Sequence, residues 1–263
     1  MIKRFPVRVG CLGLLVATAV VMASAQTAKP PTEQSRLVQA MIVNVQPGMM
    51  TEYLDYQKND VMPALKNGGS RGRTAFSSGA FGDVTAFAFF SPVTSLAQYD
   101  APNPVEKALG EQAAAQLMAK GGKLVASRRV MLMRTRPDLG IAGDPKAAMA
   151  PLVLVTEVHV APGRRIEFES LLKREIVSVL QGKVKAYEVL EVVYGEASGT
   201  FFTSIPFDSY ETIGKGHPLQ IALGEEGMKR VEAKFTGVVT HLERFIAKYR
   251  DDLSIKPASP STH

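Results

Sequence analysis

The sequence contains the same stretch twice, and this repetition constrains the fold more than any other feature. Ala108-Leu109-Gly110-Glu111 recurs as Ala222-Leu223-Gly224-Glu225, a spacing of 222 − 108 = 114 residues. The segments that begin with these stretches end in Arg136-Pro137-Asp138-Leu139 and in Arg250-Asp251-Asp252-Leu253. These two ends are again 250 − 136 = 114 residues apart. A fixed period of this kind indicates two copies of one structural unit.

The repeat also predicts the domain organisation. Repeat 1 is expected over residues 37–139 and repeat 2 over residues 152–253, with a linker over residues 140–151. The Pro-containing, polar residues 26–36 are typical of a flexible arm, and residues 254–263 are predicted to form a disordered tail.

The N-terminus has the pattern of an export signal. Lys3, Arg4 and Arg8 precede an apolar run over residues 9–22, which is short for a membrane span, and Ala23-Ser24-Ala25 follows as a small-x-small cleavage site. We therefore predict a signal peptide over residues 1–25, cleaved after Ala25, and a periplasmic or extracellular bacterial protein. An uncleaved membrane anchor is the alternative.

Cysteine content and charge narrow the possible chemistry. Cys11 is the only cysteine and lies inside the predicted signal, so the mature chain has no disulfide and no thiolate nucleophile. The formal charge of +6 includes the three basic residues of the signal, which leaves 6 − 3 = +3 for the mature chain. This small and scattered excess does not favour nucleic acid as a partner.

Each repeat shows the same order of patterns. A strand-like alternation ends at Pro47-Gly48 in repeat 1 and at Pro162-Gly163 in repeat 2. A helical stripe, two strand-like runs, a helix that starts near Pro104 or Pro218, and a last strand follow. This β-α-β-β-α-β order is the ferredoxin-like arrangement.

Two helices on one face of a four-stranded sheet leave the other face uncovered, and that face must be buried. The other repeat is the nearest partner. The predicted fold is therefore α+β, with two tandem ferredoxin-like repeats packed sheet to sheet as a pseudo-dimeric α/β barrel.

The motif Val-x-Pro-Gly at Val45–Gly48 and Val160–Gly163, followed by a helix with an aromatic residue near its start, resembles the dimeric α/β-barrel superfamily. Antibiotic-biosynthesis-type monooxygenases and NIPSNAP-like proteins belong to it. The resemblance implies a small organic ligand between the two sheets, and for some members oxidation of that ligand or haem binding. The haem-degrading relatives rely on a Trp, and this chain has none. We therefore expect no cofactor, with haem as the alternative.

Matched positions of the two repeats differ at the end of the first strand. Asn44 corresponds to His159, and Ile42 corresponds to Glu157. Since Val158 and Val160 are expected to face the helices, alternation turns Asn44, Glu157 and His159 toward the space between the sheets. Glu157 and His159 could form a carboxylate–imidazole pair that acts as a catalytic base. The alternative is a polar, partly solvated strand face.

A second difference is one of volume. The second strand of repeat 1, predicted over residues 74–81, contains Ser77-Ser78-Gly79-Ala80, where repeat 2 has bulkier residues. Small side chains here predict a ligand pocket between the sheets, lined by Ser78, Phe76, Phe87 and Phe89. Alternatively, neighbouring side chains fill this space.

A third difference lies before the last helix of repeat 2, where Gly214-Lys215-Gly216-His217-Pro218 replaces a loop without these basic residues. A Gly-rich loop at a helix N-terminus can bind an anion, so Lys215 is a candidate ligand-binding residue and His217 a candidate catalytic residue. A plain connector is the alternative. The histidines lack metal-ligand spacing, and no metal site is expected.

Three functions remain open from the sequence. The first is an exported protein that binds a small apolar or aromatic ligand between the sheets. The second is a cofactor-independent or haem-assisted oxygenase, and the third is a module that binds another envelope protein. The barrel is expected as a monomer or a homodimer, with no stable membrane insertion after cleavage.

Overall fold

The computed structural model describes residues 34–256. The predicted signal peptide, residues 26–33 of the predicted arm and residues 257–263 lie outside this range. Strands and helices follow each other in the predicted β-α-β-β-α-β order in each repeat. The strands are β1 (Leu37–Val45), β2 (Thr74–Ser78), β3 (Ala86–Val93), β4 (Val125–Thr135), β5 (Leu152–Val160), β6 (Glu188–Tyr194), β7 (Thr200–Phe207) and β8 (Val239–Tyr249).

The first helical region of each repeat consists of three consecutive segments with a π-helical turn in the middle. The α-helices within the described residues are α1 (Met50–Asp55), α2 (Met62–Asn67), α3 (Pro104–Leu109), α4 (Glu111–Gly122), α5 (Arg165–Leu171), α6 (Ser178–Leu180), α7 (Tyr210–Gly214) and α8 (Pro218–Phe235). The π-helical turns are Tyr56–Val61 and Leu172–Val177. Because both repeats contain a π-helical turn, it is a feature of the fold.

The eight strands form one closed antiparallel barrel in the order β1-β3-β2-β8-β5-β7-β6-β4. Each repeat contributes four neighbouring strands, and the repeats meet at the β2–β8 and β4–β6 seams. The predicted pseudo-dimeric barrel is therefore confirmed. Closure also pairs every edge strand of the barrel, which removes the free edges that two separate sheets would have.

The strands have two different faces. On the outer face, each repeat has its own core against its helices, built around Tyr53 and Phe87 in repeat 1 and around Phe168 and Phe201 in repeat 2. Inside the barrel, side chains from both repeats form a third core. Its buried members are Ala40, Met131, Met133, Val192 and Phe202.

Strand β2 is shorter than predicted, because it ends at Ser78 rather than at residue 81. The Gly79 N–H donates to the Ile246 carbonyl at 2.7 Å, and a Cβ at Gly79 would lie 2.7 Å from that oxygen. Beyond this close approach the Ala80 N–H donates to the Tyr210 hydroxyl at 2.8 Å. A side chain therefore replaces the strand partner, and the ladder stops.

Segments predicted as connecting or disordered make specific contacts. In the linker, Ile141 pairs with Tyr187, and beyond repeat 2 Ile255 pairs with Arg73. The predicted tail therefore starts too early at residue 254. The Arg36 N–H, at the end of the predicted arm, donates to the Thr135 hydroxyl at 2.8 Å. Within residues 34–256 no helix is both long and apolar enough to cross a membrane.

Candidate functional site

The predicted Glu157–His159 pair forms at one end of the barrel interior. Their neighbours Val158 and Val160 pack in the helix-side core of repeat 2, so alternation turns Glu157 and His159 inward. His159 Nε2 lies 3.0 Å from Glu157 Oε1, and the His241 ring lies edge-on to the His159 ring with centroids 5.3 Å apart. Glu157 itself is 7% exposed.

One further side chain determines what this pair can do. Arg129 approaches the same carboxylate, with Nη2 3.3 Å from Glu157 Oε2, and also contacts Glu196 at 3.3 Å. Asn44 does not join the pair but donates to the Asp83 carboxylate. The Glu157 carboxylate is therefore shared between a cation and an imidazole, as on a polar strand face. A catalytic role for Glu157 and His159 remains a prediction.

The three predicted phenylalanines do not line one pocket. The expectation that Phe87 and Phe89 face the barrel interior is wrong, because Phe87 pairs in register with Val43 and both side chains lie in the helix-side core of repeat 1. Phe76 packs instead against Phe90 and Tyr249, with ring centroids 6.0 and 5.9 Å apart.

The small side chains of β2 do not open a channel through the barrel. The Ser78 hydroxyl lies 3.5 Å from the Phe81 carbonyl, at the turn that ends the strand. The middle of the barrel is occupied by the third core described above. Close packing by neighbouring side chains, the alternative to a pocket here, agrees with this arrangement.

His217 is the N-terminal cap of α8. Its Nδ1 accepts a hydrogen bond from the Leu219 N–H at 3.2 Å, and burial, with a smaller effect of the nearby Arg244 charge, lowers the pKa of His217 to about 4. Arg244 alternates along β8 with Glu243, which is in register with the inward-facing Glu157. His217 therefore lies on the helix-covered face of the sheet, apart from His159.

Lys215 is largely exposed, and its Nζ lies 3.6 Å from Glu211 Oε1. Neither Lys215 nor His217 faces the Glu157–His159 pair, so the structure does not bring the predicted catalytic residues into one site. Among His159, His217 and His241, the contact between rings is that of His159 with His241.

The cap predicts a pH dependence of stability that a single substitution removes. His217 has an ordinary pKa of 6.5 and a folded-state pKa of about 4, so the unfolded chain binds the proton first and stability is lost as the pH falls from 6.5 toward 4. Because the ring is partly exposed, we expect a loss of about 1–2 kcal/mol rather than the full value of the shift. His217→Asn should remove this dependence, since Asn also caps helices but does not titrate.

Urea unfolding of both proteins at pH 7.5 and pH 4.5 measures the effect. Repeat 1 supplies the precedent, because Asn103, 114 residues earlier, caps α3 by accepting from Val105 and Glu106. His217→Ala is the matched control: it removes both the titrating ring and the cap, and it should be about 1 kcal/mol less stable than His217→Asn at both pH values. Equal pH dependence in wild type and His217→Asn would show that the imidazole is not responsible.

A cavity of about 70 Å³ lies between the helices and the sheet of repeat 1. Its polar wall consists of Tyr53, Tyr56, Gln57, Arg73 and Arg128. Its apolar wall consists of Met41, Val43, Val61, Val105, Leu117, Met118 and Val125. Met118 is 46% exposed, so this side of the cavity is close to solvent.

Arg73 is the central residue of the polar wall. Its backbone pairs with Ile255 just before β2, and this pairing fixes where the side chain enters the helix-side core. Only 5% of the residue is exposed. Its Nη2 donates to Gln57 Oε1 at 2.7 Å, and the guanidinium carbon lies 3.7 Å from the centre of the Phe89 ring.

The Arg73 guanidinium has no counter-ion in the part of the chain that the structure describes. Among residues 34–256 no carboxylate lies within ion-pair distance of Arg73, and its buried Nε has no hydrogen-bond partner there. Burial lowers the pKa of Arg73 to about 10, so the side chain is still charged near neutral pH.

The two tyrosines complete the wall. The Tyr53 hydroxyl, with the Gln57 amide beside it, makes no well-formed hydrogen bond, whereas the Tyr56 hydroxyl donates to the Leu117 carbonyl at 3.2 Å. Burial raises the pKa of both phenols above the ordinary value, so both remain protonated donors. A Cβ at Gly121 would lie 2.4 Å from the Tyr56 hydroxyl, which shows that the Tyr56 ring needs a glycine at that position.

Repeat 2 lacks this polar wall. The pairs Phe87–Tyr53 and Phe201–Phe168, and the bridges Arg73–Ile255 and Tyr187–Ile141, establish the structural correspondence. The residues that correspond to Tyr53, Tyr56, Gln57, Arg73 and Arg128 are Phe168, Leu171, Leu172, Tyr187 and Leu242. The first four of these pack in one apolar core, and Phe235, which corresponds to Gly121, contacts the Phe168 ring.

The sequence analysis does not predict this cavity in repeat 1. Comparison of matched positions could have found it, because aligning the first helices of the repeats sets Gln57 against Leu172 and Tyr56 against Leu171. The cavity does not fit haem. No histidine or cysteine lines it, and its volume is about half of the roughly 150 Å³ that accommodate a single benzene ring.

No protein-family model matches the sequence, and no curated protein matches it. Solved structures do share its fold. An anthrone oxidase-like protein has a TM-score of 0.54 at 14% identity, with 83% of this chain and 93% of that chain covered. A proposed monooxygenase from Fusobacterium nucleatum subsp. nucleatum has a TM-score of 0.55 at 10% identity, with coverages of 82% and 93%.

A mutant chlorite dismutase from Candidatus Nitrospira defluvii is also similar, with a TM-score of 0.52 at 11% identity and coverages of 82% and 92%. At these identities the likeness concerns the fold and not the activity. The chain therefore has the ferredoxin-like, dimeric α/β-barrel fold that its sequence resembles, with both halves of the barrel in one polypeptide.

Proposed function

We propose that the protein binds a small organic molecule in the cavity between the helices and the sheet of repeat 1. The observation that carries this proposal is the difference between the repeats. The same framework encloses a cavity with Arg73, Gln57 and two tyrosines in repeat 1, and a packed apolar core in repeat 2. Buried polar groups cost stability, so a polar wall in one repeat alone is better explained by binding than by folding.

This proposal changes the location expected from the sequence but keeps the class of function. The middle of the barrel, between the two halves of the sheet, contains large side chains. The helix-side cavity combines an apolar wall with a few converging polar groups, which is the usual character of a ligand site. Phe87 packs against the Tyr53 ring, and Phe89 packs against the Arg73 guanidinium. Both phenylalanines therefore support residues of the cavity wall.

An oxygenase reaction in the same cavity is the second candidate, favoured by the fold that the chain shares with an anthrone oxidase-like protein. Such a reaction would need a base next to the bound molecule. No histidine or carboxylate lines the cavity, and His159 faces the barrel interior on the other side of the sheet. The residues therefore support binding better than proton abstraction.

Export belongs to the proposal as well. The signal-like residues 1–25 support export to the periplasm or to the outside of the cell, where the binding protein would meet small molecules before they enter the cytoplasm.

Filling the cavity with the residues of repeat 2 tests the proposal. Val61 corresponds to Ile176 and Val105 to Leu219, so the Val61→Ile/Val105→Leu variant adds two carbon atoms to the wall. We expect at least one of the three probes propionate, propionamide and 1-propanol to raise the melting temperature of the wild-type protein. The same probe should not raise the melting temperature of the variant. The protein is the mature chain, and differential scanning calorimetry is the measurement.

A matched control changes the corresponding core of repeat 2. Leu219→Val should lower the melting temperature but leave the effect of the three probes intact, because that core does not line the cavity. If none of the three probes stabilises the wild type, or if the filled variant responds as the wild type does, the binding site is not in this cavity.

A further inference from the structure

We infer that the molecule bound in the cavity of repeat 1 is a small carboxylate, held by Arg73 with Arg128 and the Tyr53 hydroxyl. This inference rests on the proposed binding site and specifies the chemistry of its ligand. It starts from a comparison of Arg73 with Arg136, whose side chain is 12% exposed.

Arg136 shows how this protein treats a buried arginine elsewhere. Its guanidinium lies 2.8 Å from Glu169, 2.9 Å from Glu191 and 2.9 Å from Asp138. Arg73 is at least as buried, yet its side-chain partners are the neutral Gln57 and the ring of Phe89. Because a buried charge is normally paired, the missing counter-ion of Arg73 is expected to come from the ligand.

The donors around the cavity suit a planar anion with two oxygens. One nitrogen of Arg73 is engaged by Gln57, while its Nε has no partner among the described residues. The Tyr53 hydroxyl is a second buried donor without a well-formed hydrogen bond. Arg128 adds a second positive charge from β4, opposite Val43 in the strand register. A carboxylate accepts from several donors at once, and a guanidinium matches its geometry.

The remaining wall limits the rest of the ligand. Val43, Val61 and Leu117 offer only apolar contacts. A cavity of about 70 Å³ is roughly half the volume that holds benzene. The site therefore fits a short alkyl chain next to the carboxylate, as in propionate, or the carboxylate end of a longer molecule that leaves past the half-exposed Met118.

Methionine methyl groups report on the site and on its surroundings in a single NMR experiment. Met41 and Met118 line the cavity, whereas Met131 and Met133 lie in the barrel interior. The mature protein, labelled with ¹³C at the methionine methyl groups, is titrated with sodium propionate and separately with propionamide at constant ionic strength. We expect propionate to shift Met41 and Met118 while Met131 and Met133 stay in place.

Charge recognition is measured by the ratio of the two dissociation constants. Propionate is expected to bind at least about tenfold more tightly than propionamide, since the amide cannot neutralise the cation. Arg73→Met should abolish this preference. Arg128→Gln, at an exposed position that should not disturb folding, is expected to weaken propionate binding by several-fold and leave propionamide unchanged.

The outcomes separate the two proposals. If both probes shift Met41 and Met118 with equal affinity, the cavity is a ligand site, but the carboxylate inference is wrong. If neither probe shifts these two methyl groups, the inference and the proposed binding site both fail. If propionate shifts all four methyl groups alike in wild type and Arg73→Met, the anion acts elsewhere, which also overturns the inference.

Discussion

Gln57→Leu is expected to lower the free energy of unfolding by about 2–3 kcal/mol, because it leaves the buried Arg73 guanidinium without its hydrogen-bond acceptor. Gln57 is itself buried, and its Oε1 is the only side-chain oxygen that accepts from Arg73 among the described residues. The leucine has a similar length and occurs at the corresponding position of repeat 2, as Leu172. Packing alone would therefore not predict a loss.

The opposite result is expected when Arg73 is replaced as well. In Gln57→Leu/Arg73→Met no buried charge and no buried amide remains at this position. Replacement of a buried polar pair by apolar residues of similar volume is often neutral, or stabilising by about 1–4 kcal/mol. The double variant should therefore be at least as stable as the wild type. The stability of Arg73→Met alone should lie between those of Gln57→Leu and the double variant, because it leaves Gln57 without a donor.

Urea unfolding of the four proteins, in a buffer free of carboxylates, gives the complete cycle. The slope of the unfolding free energy against urea should stay constant, so that midpoints can be compared directly. A double variant that is less stable than Gln57→Leu would show that the guanidinium stabilises the fold through Phe89 and the sheet. The polar wall would then be a structural feature and would no longer indicate a ligand.

If the four unfolding free energies follow the expected order, the wild-type protein keeps in repeat 1 a destabilising pair, Gln57 and Arg73. Repeat 2 has other residues at these two positions. Sites that bind ligands commonly have such a cost. A ligand that supplies the counter-ion would then stabilise the protein by mass action, and the calorimetric and NMR experiments above would report the same interaction.

Most of the fold could be predicted from the sequence because its signals are local and occur twice. The Pro-Gly strand ends, the helix starts at Pro104 and Pro218, and the alternation in β1 and β5 each indicate the same elements in both repeats. The end of β2 was not predictable in this way. It depends on the hydroxyl of Tyr210, 130 residues away from Ala80, and no local pattern contains that contact.

The sequence predicts the inward direction of Glu157 and His159 correctly, because Val158 and Val160 fix the face of β5. The sequence predicts the wrong face for Phe87 and Phe89, because the small residues of β2 carry no information on how β3 pairs with β1. The pairing of Phe87 with Val43 decides this face. The burial of Arg73 is not predicted by the sequence, because Arg73 precedes a strand and a single arginine there is ordinarily exposed.

The other large effect is expected at the β4–β6 seam, where a buried carboxylate joins the two repeats. Glu191 of repeat 2 is 5% exposed and lies 2.8 Å from Arg134, 2.9 Å from Arg136 and 2.8 Å from Arg165. Arg134 and Arg136 belong to repeat 1. The corresponding residue at the β2–β8 seam is the uncharged Ser77, so among residues 34–256 this cluster of arginines around a carboxylate lies at the β4–β6 seam.

Glu191→Gln keeps the shape of the side chain but removes the charge that these three arginines share. Because breaking a buried ion pair leaves uncompensated charge, we expect a loss of about 3–5 kcal/mol in the free energy of unfolding. Asp208→Asn is the matched control. It makes the same chemical change at the exposed Lys185–Asp208 pair, where the distance is 2.6 Å, and should cost less than about 1 kcal/mol.

The acid dependence of stability tests whether the arginines act as one cluster. The hydrogen bond from Arg136, helped by Arg165, lowers the pKa of Glu169 from 4.5 to about 2. A carboxylate with a lowered folded-state pKa stabilises the protein above pH 4.5, and this contribution disappears as the pH falls toward 2. Arg136→Met should therefore lower stability at pH 7 and flatten the fall of stability between pH 4.5 and pH 2. An equally steep fall in the variant would show that other carboxylates govern acid unfolding, and that the seam is held by its strand pairing rather than by its charges.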